Sequence, residues 1–301
     1  MEFRIDRQAV RRSFNRASKR YARAAKLQTS VNAELLERLQ YFRLEPRVIV
    51  DLGCGSGSGA TALRARFPRA RVIALDLGLD MVREAKRRQR FWRRYECVCA
   101  DAMALPFAAQ SVDLVYSNLM VQWCDDPPAL FAQMHQALRP GGLVLFSTFG
   151  PDTLHELRSA WASGDEQTHV SAFADMPQLA EAMSRAGLAE PVMDRESITH
   201  YYAHVDELMS ELRSIGARHA AADRRRTLTG RGRVIAMNNT YETLRTSKGV
   251  PASWEILYGA AFAGSSQQMR HHDHSASTLA ESTVAVSSIG TRGQSGRGPS
   301  R

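Results

Sequence analysis

The segment Val48-Ile-Val-Asp-Leu-Gly-Cys-Gly-Ser-Gly-Ser-Gly59 constrains this chain more than any other stretch. An apolar run ends in an acid, and glycines follow at 53, 55 and 57. The pattern predicts a buried strand that breaks into a tight turn and then a helix. Glycine in such a turn permits positive φ and lets a ligand lie against bare main chain near helix N–H groups. Gly55-x-Gly57-x-x-Ala60 also passes as a loose dinucleotide fingerprint. Asp51, just ahead of the glycines, would repel a diphosphate and attract a cationic amino-acid end. The loop therefore points to a ligand with a positive end.

The downstream sequence repeats the theme. Arg71-Val-Ile-Ala-Leu-Asp76 is a second short apolar strand ending in an acid, the position that accepts hydrogen bonds from ribose hydroxyls. Cys97–Asp101, Val112–Asn118 and Leu143–Thr148 read as further strands, the last led in by Leu138-Arg-Pro-Gly-Gly142. Helical spacing fills 57–66, 79–93 and 127–137. Strands alternating with helices predict an α/β fold with a doubly wound, mostly parallel sheet and ligands at the strands' carboxyl ends. Asp51, Asp76, Asp101 and Asn118 all fall at such ends.

With these motifs in order, the chain resembles the class I S-adenosylmethionine-dependent methyltransferases. The resemblance rests on DLGCGSG, Asp76, Ala100-Asp101 and LRPGG. It implies a Rossmann-like, seven-stranded sheet with S-adenosylmethionine as cofactor. Asp51 and the glycines 53, 55 and 57 would then cradle the methionine part, and Asp76 would hold the ribose. Asp101, beside Ala102, would reach the adenine amino group, Met81 would pack on the adenine face, and Asn118 would border the cofactor. Asp80 can equally be a helix cap, and Met81 ordinary core.

Forty Lys plus Arg against 31 Asp plus Glu give a net charge of +9, which suits an acidic partner. Cysteines 54, 97, 99 and 124 contain no zinc-type CxxC pair. Cys97 and Cys99 alternate along a strand and are expected on one buried face. His271, His272 and His274 sit in a polar tail and read as solvated, so no metal is expected. The sequence shows no apolar run of membrane length and no signal-type segment. A soluble, cytoplasmic protein is expected, with no membrane or nucleic-acid partner.

Four regions follow from composition: a basic helical arm (1–44), a cofactor core (45–150), the rest of the sheet with lid insertions (151–263) and a polar, largely mobile tail (264–301). Apolar or small residues at helical spacing between 7 and 40 predict one long or broken amphipathic helix in the arm. Its other face carries Arg4, Arg7, Arg11, Arg12, Arg16, Lys19, Arg20, Arg23 and Lys26. A second basic cluster, Arg83 to Arg94, includes Phe91 and Trp92. Each cluster can be a solvated face or a docking patch. Residues 151–183 are expected outside the sheet, with strands at 192–202 and 253–262 and helices at 205–218 and 231–246. Ser282–Ile289 alternates as a short edge strand would.

A closer resemblance rests on Phe149-Gly-Pro-Asp-Thr-Leu-x-Glu-Leu-Arg158, with His169-Val-Ser-x-Phe173, Arg185-Ala-Gly187, Val10-Arg-Arg-x-Phe14 and Tyr21 to Gln28. These segments resemble the malonyl-acyl-carrier-protein O-methyltransferases of biotin synthesis. Asn15, Ala22 and Ala260 depart from that family's usual Asp, Asp and His. The resemblance implies methylation of the free carboxylate of a malonyl group on an acyl carrier protein, an acidic protein that a basic surface would dock. A carboxylate is already ionised at neutral pH, so no base is needed. A cation to hold it is expected, and Arg158 is the first choice; pairing of Arg158 with Glu156 or Asp152 is the bland alternative. Tyr21, Asn118 and Trp123 are expected on the pocket wall. A respiratory complex I assembly protein associated with arginine hydroxylation resembles the same core and lid, and is the rival reading.

Overall fold

A computed structural model describes residues 5–163, 169–217 and 230–264. Arg4, the tail histidines and Ser282–Ile289 lie outside the described residues. The chain enters through α1 (Arg7–Ala24) and α2 (Lys26–Arg38). Asp6 caps α1 by accepting from the Ala9 N–H, and Ala25 (φ −79°, ψ 52°) breaks the arm in two. There follow β1 (Val48–Leu52), α3 (Ser58–Arg66), β2 (Arg71–Asp76), α4 (Leu79–Arg88), β3 (Glu96–Cys99), β4 (Val112–Asn118), α5 (Pro127–Ala137) and β5 (Leu138–Phe149). The remainder is α6 (His155–Ala162), α7 (Met176–Arg185), β6 (Leu188–Tyr202), α8 (Val205–Ser214), α9 (Arg231–Glu242) and β7 (Val250–Ala263).

The strands form one seven-stranded sheet in the order β3-β2-β1-β4-β5-β7-β6. The first five are parallel, and β7 runs antiparallel to both β5 and β6. Helices cover both faces, so a central strand such as β1 must be apolar on each side. Ile49, Val50 and Leu52 accordingly have no solvent exposure. The strand order reverses between β1 and β4, which is where such a sheet opens a crevice at its carboxyl edge.

Some boundaries differ from those expected. Helix α4 stops at Arg88 rather than 93, because Gln89 turns to ψ 140° and its side chain bonds the Tyr95 carbonyl. Cys97 and Cys99 are not buried together: β3 is an edge strand, leaving Cys97 half-buried and Cys99 exposed. Strands β6 and β7 continue the sheet begun by β1, so position 150 divides the sequence without dividing the sheet.

The 150–158 segment stands outside the sheet yet is bonded to it. Asp152 N–H donates to Glu255 Oε2 (2.8 Å), Leu154 N–H to the Ser253 carbonyl (2.7 Å), and Ser253 N–H to Glu156 Oε2 (3.1 Å). A Cβ at Gly150 would collide with the Glu255 carboxylate. Glu156 is buried, so its loss strands a polar group. Glu156→Ala should cost about 1–3 kcal/mol; a lower urea midpoint with an unchanged m-value would report it.

Candidate functional site

A cavity opens at the carboxyl ends of β1, β2 and β4. Gly53, Gly55, Asp76, Asp101, Ala102 and Asn118 line it from the core, and Arg7, Phe14, Tyr21 and Gln28 from the arm. Trp123 and Phe149 complete one wall. Phe14 meets the Trp123 ring edge-on at 5.2 Å, which joins arm and wall.

The glycine turn hangs on the end of β2. The N–H groups of Gly53 and Cys54 donate to the Leu75 carbonyl at 2.8 and 3.0 Å. Gly55 N–H donates to Asp76 Oδ2 (2.9 Å), and Gly78 N–H to Asp76 Oδ1 (2.8 Å). Gly53, Gly55 and Gly57 all have positive φ, 76°, 52° and 83°, a backbone that β-carbons resist. A Cβ on Gly53 would strike Met120, and one on Gly55 would sit 3.3 Å from the Tyr21 ring. The turn therefore presents bare main chain beside a partly buried acid, under an aromatic lid. Burial holds the Asp76 carboxyl above its usual range, opposed by its two backbone donors.

This cradle fits S-adenosylmethionine. Gly53 and Gly55 would face the methionine portion, Asp76 the ribose, and Asp101 and Ala102 the base. Each Asp76 oxygen accepts one backbone bond and keeps capacity for another. Asp76→Ala should weaken binding of the demethylated cofactor by ~1–3 kcal/mol, measured by calorimetry on protein whose melt is intact.

Four expected site residues lie off the cavity lining. Asp51 is buried behind the turn at the start of α3, where it faces the Ala60 N–H, its Oδ2 has no hydrogen-bond partner, and only glycine at 59 leaves room for its carboxylate. Gly57 packs against Tyr95 and Ala85, and Met81 is buried in α4. Arg158 donates to the carbonyls of Pro151 (3.0 Å) and Thr153 (3.3 Å), bracing the lid turn rather than pairing with Glu156 or Asp152. Asp80 does not cap its own helix: Asn15 on α1 accepts from Asp80 N–H (3.1 Å), and the Asp80 carboxylate pairs with Arg83.

Two roles were not legible in the sequence. Arg7, read as one of many arm cations, bridges Asp101 (3.4 Å) and Asp125 (2.9 Å) at the cavity's edge. Asn118 joins arm to sheet: its Nδ2 donates to the Gln28 carbonyl (3.0 Å) and its Oδ1 accepts from Ser147 Oγ (2.8 Å). Both links pair residues far apart in the chain, so no local signal marks them. Tyr21 is half-buried, and desolvation, aided by the Asp76 charge, keeps its phenol protonated.

The Asp51 carboxyl is pushed up to about 7 by burial, reinforced by Asp76 and opposed by the Ala60 N–H. The folded protein thus holds this proton more tightly than the unfolded chain does. Stability should fall as pH rises from about 4 to about 7, then level off. Ligand-free Asp51→Asn should exceed wild type by ~1–4 kcal/mol above pH 7, the gain vanishing near pH 4. Equal melts at alkaline pH would show that Asp51 ionises normally.

Residues 50–146 match the model of the methyltransferase domain family. The curated malonyl-[acyl-carrier protein] O-methyltransferase of Xylella fastidiosa is 44% identical over 286 residues, 94% of this chain and 97% of that protein. The protein of that name from Gallionella capsiferriformans is 43% identical over 87% of this chain and 92% of its own. The solved YcgJ protein of Bacillus subtilis superposes with a TM-score of 0.55 at 15% identity, covering 77% of this chain and 98% of its own, a likeness of fold. With cradle and lid inside the matched span, the chain belongs to the malonyl-[acyl-carrier protein] O-methyltransferase family.

Proposed function

We propose that this protein transfers a methyl group from S-adenosylmethionine to the free carboxylate of a malonyl group carried by an acyl carrier protein. The carrying observation is the extent of identity. A generic methyltransferase match covers 50–146, whereas the 44% identity spans 94% of the chain, including the lid. When bound, S-adenosylmethionine supplies an electrophilic methyl on a sulfonium that departs as a neutral thioether. A carboxylate oxygen forms the new bond and no proton moves. The chain's task is to position the acceptor and exclude water. The arm suits both: Phe14 and Tyr21 cover the cavity, and the undissociated Tyr21 hydroxyl offers a hydrogen bond without taking a proton. The ester formed is uncharged and can be extended as an apolar chain.

The carrier would dock on the outer face of α1. Arg11, Arg16, Lys19, Arg20 and Arg23 are exposed there, on the helix whose inner face lines the cavity. The 89–94 segment is a poorer platform. Helix α4 leaves the carboxyl end of β2 and runs about 15 Å to the opposite edge of the sheet, where Phe91 and Trp92 lie exposed. No helix among the described residues is long and apolar enough to cross a membrane. The reading includes a cytoplasmic location, where free thiols such as Cys54 and Cys124 persist.

Incubation with S-adenosylmethionine and malonyl-carrier protein should add one methyl to the carrier-linked group, detected by intact mass. An unmodified carrier would overturn the reading, and an oxygen-sized gain on an arginine protein would favour the rival. Reversing Arg16, Lys19 and Arg20 to Glu should raise the carrier KM several-fold and flatten its salt dependence, with cofactor affinity unchanged. The same reversals at Arg90, Arg93 and Arg94 should leave KM near wild type.

A further inference from the structure

Building on the proposed reaction, we infer that the acceptor carboxylate is held by neutral donors, chiefly the side-chain amide of Gln28, and not by the guanidinium of Arg7 or Arg158. Among the described residues, Arg7 is the one Lys or Arg lining the cavity. Its guanidinium is paired to Asp101 and Asp125, beside the carboxylate assigned to the base end of the cofactor. Arg158 is off the lining and committed to the Pro151 and Thr153 carbonyls.

Gln28 is placed differently. It lies on α2, its carbonyl is fixed by Asn118 Nδ2, and its side chain lines the cavity. Its Oε1 is fully buried and has no hydrogen-bond partner. A buried acceptor without a partner is costly, and a rotation of the amide exchanges its carbonyl and amino ends. An anion in the cavity would be met by the Nε2 hydrogens. Two further residues with neutral donors line the same cavity: Tyr21, whose ring lies against Gly55, and Asn118, whose Nδ2 keeps a second hydrogen beyond its bond to the Gln28 carbonyl.

Neutral donors suit a nucleophilic carboxylate. A bidentate guanidinium binds strongly, and that strength is spent on the ground state, which does not speed the chemical step. Amide and hydroxyl groups orient the anion while withdrawing less charge from the attacking oxygen. Methylation then removes the charge that strengthened these hydrogen bonds, so the ester is released. Gln28 thereby becomes a specificity residue that distinguishes free carboxylate from ester.

The test uses full-length wild type, Gln28→Met, Gln28→Glu and Arg158→Gln, with malonyl-carrier protein and its methyl ester as ligands. Melts and titration with S-adenosylhomocysteine check fold and cofactor site. Wild-type methyl transfer is measured first; failure there refutes the proposed function itself. Given an active wild type, Gln28→Met should lower kcat/KM for malonyl-carrier ~10–100-fold with cofactor affinity within about twofold. It should also abolish preferential binding of malonyl-carrier over its ester. Gln28→Glu, which keeps size and polarity but adds a like charge, should lose more, and it carries the test if the Met variant does not fold. Arg158→Gln should retain the ligand preference. Wild-type kcat/KM in a folded Gln28 variant, or loss of the preference in a folded Arg158→Gln enzyme, would overturn the inference while leaving the proposed reaction standing.

Discussion

The turn after β1 is held by the end of β2, and the floor of the cavity depends on that tether. Leu75 offers its carbonyl to two turn N–H groups, and Asp76 binds Gly55 and Gly78 through its two oxygens. The donors so engaged fix a backbone with three positive φ angles that would otherwise sample many shapes. The same carboxylate faces the cavity, so the group assigned to the ribose also builds the wall beside it. Asp51 contributes from behind, as a buried acid at the start of α3 where the helix N-terminus favours negative charge. Its raised pKa shows that this support only partly offsets desolvation.

The arm closes what the sheet leaves open. Helix α2 lies across β4, with the Tyr116 hydroxyl donating to Asn32 and Asn118 reaching Gln28. Helix α1 is fastened at both ends of the cavity, by Arg7 to Asp101 and Asp125 and by Ser13 to the Gly216 carbonyl. Partly exposed ion pairs like those of Arg7 contribute little to stability individually. What they supply is position, since they bring Val10, Phe14 and Tyr21 over the glycine turn. The α1 face left outside is the basic one.

The lid motif acquires a structural explanation. Gly150, Asp152, Thr153, Leu154 and Glu156 all bond or pack onto residues 253–255 of β7. Leu154 takes φ 54° to turn the chain there, a conformation that costs a non-glycine residue energy and needs surrounding bonds to hold it. Arg158 finishes this turn by binding two of its carbonyls. A charged residue inside a distinctive motif suggested a ligand hand, and the same charge is engaged by main-chain dipoles. The two uses look alike in sequence because both require a long cation at one place in the lid.

The sequence by itself determined the alternation of strands and helices along the chain and the acids at the strand tips. Those features follow from short-range rules: apolar runs, helical spacing and glycine where φ must be positive. DLGCGSG placed the cradle, and Asp76, Asp101 and Asn118 were legible as strand-end residues. Tertiary structure alone decided which side chains share the cavity. Asp51 and Asp76 follow the same apolar-run-then-acid pattern, yet one lies behind the turn and the other on the cavity wall, because the helix after β1 covers the first. Arg7 and Arg11 are equivalent as letters in a basic helix, but one helical turn sends the first to Asp101 and the second to solvent. Gln28 had no distinguishing local signal, since its unpaired Oε1 exists only where α2 crosses β4. Periodicity reports which face of an element is buried; what it is buried against depends on contacts between distant segments, and those are set by packing.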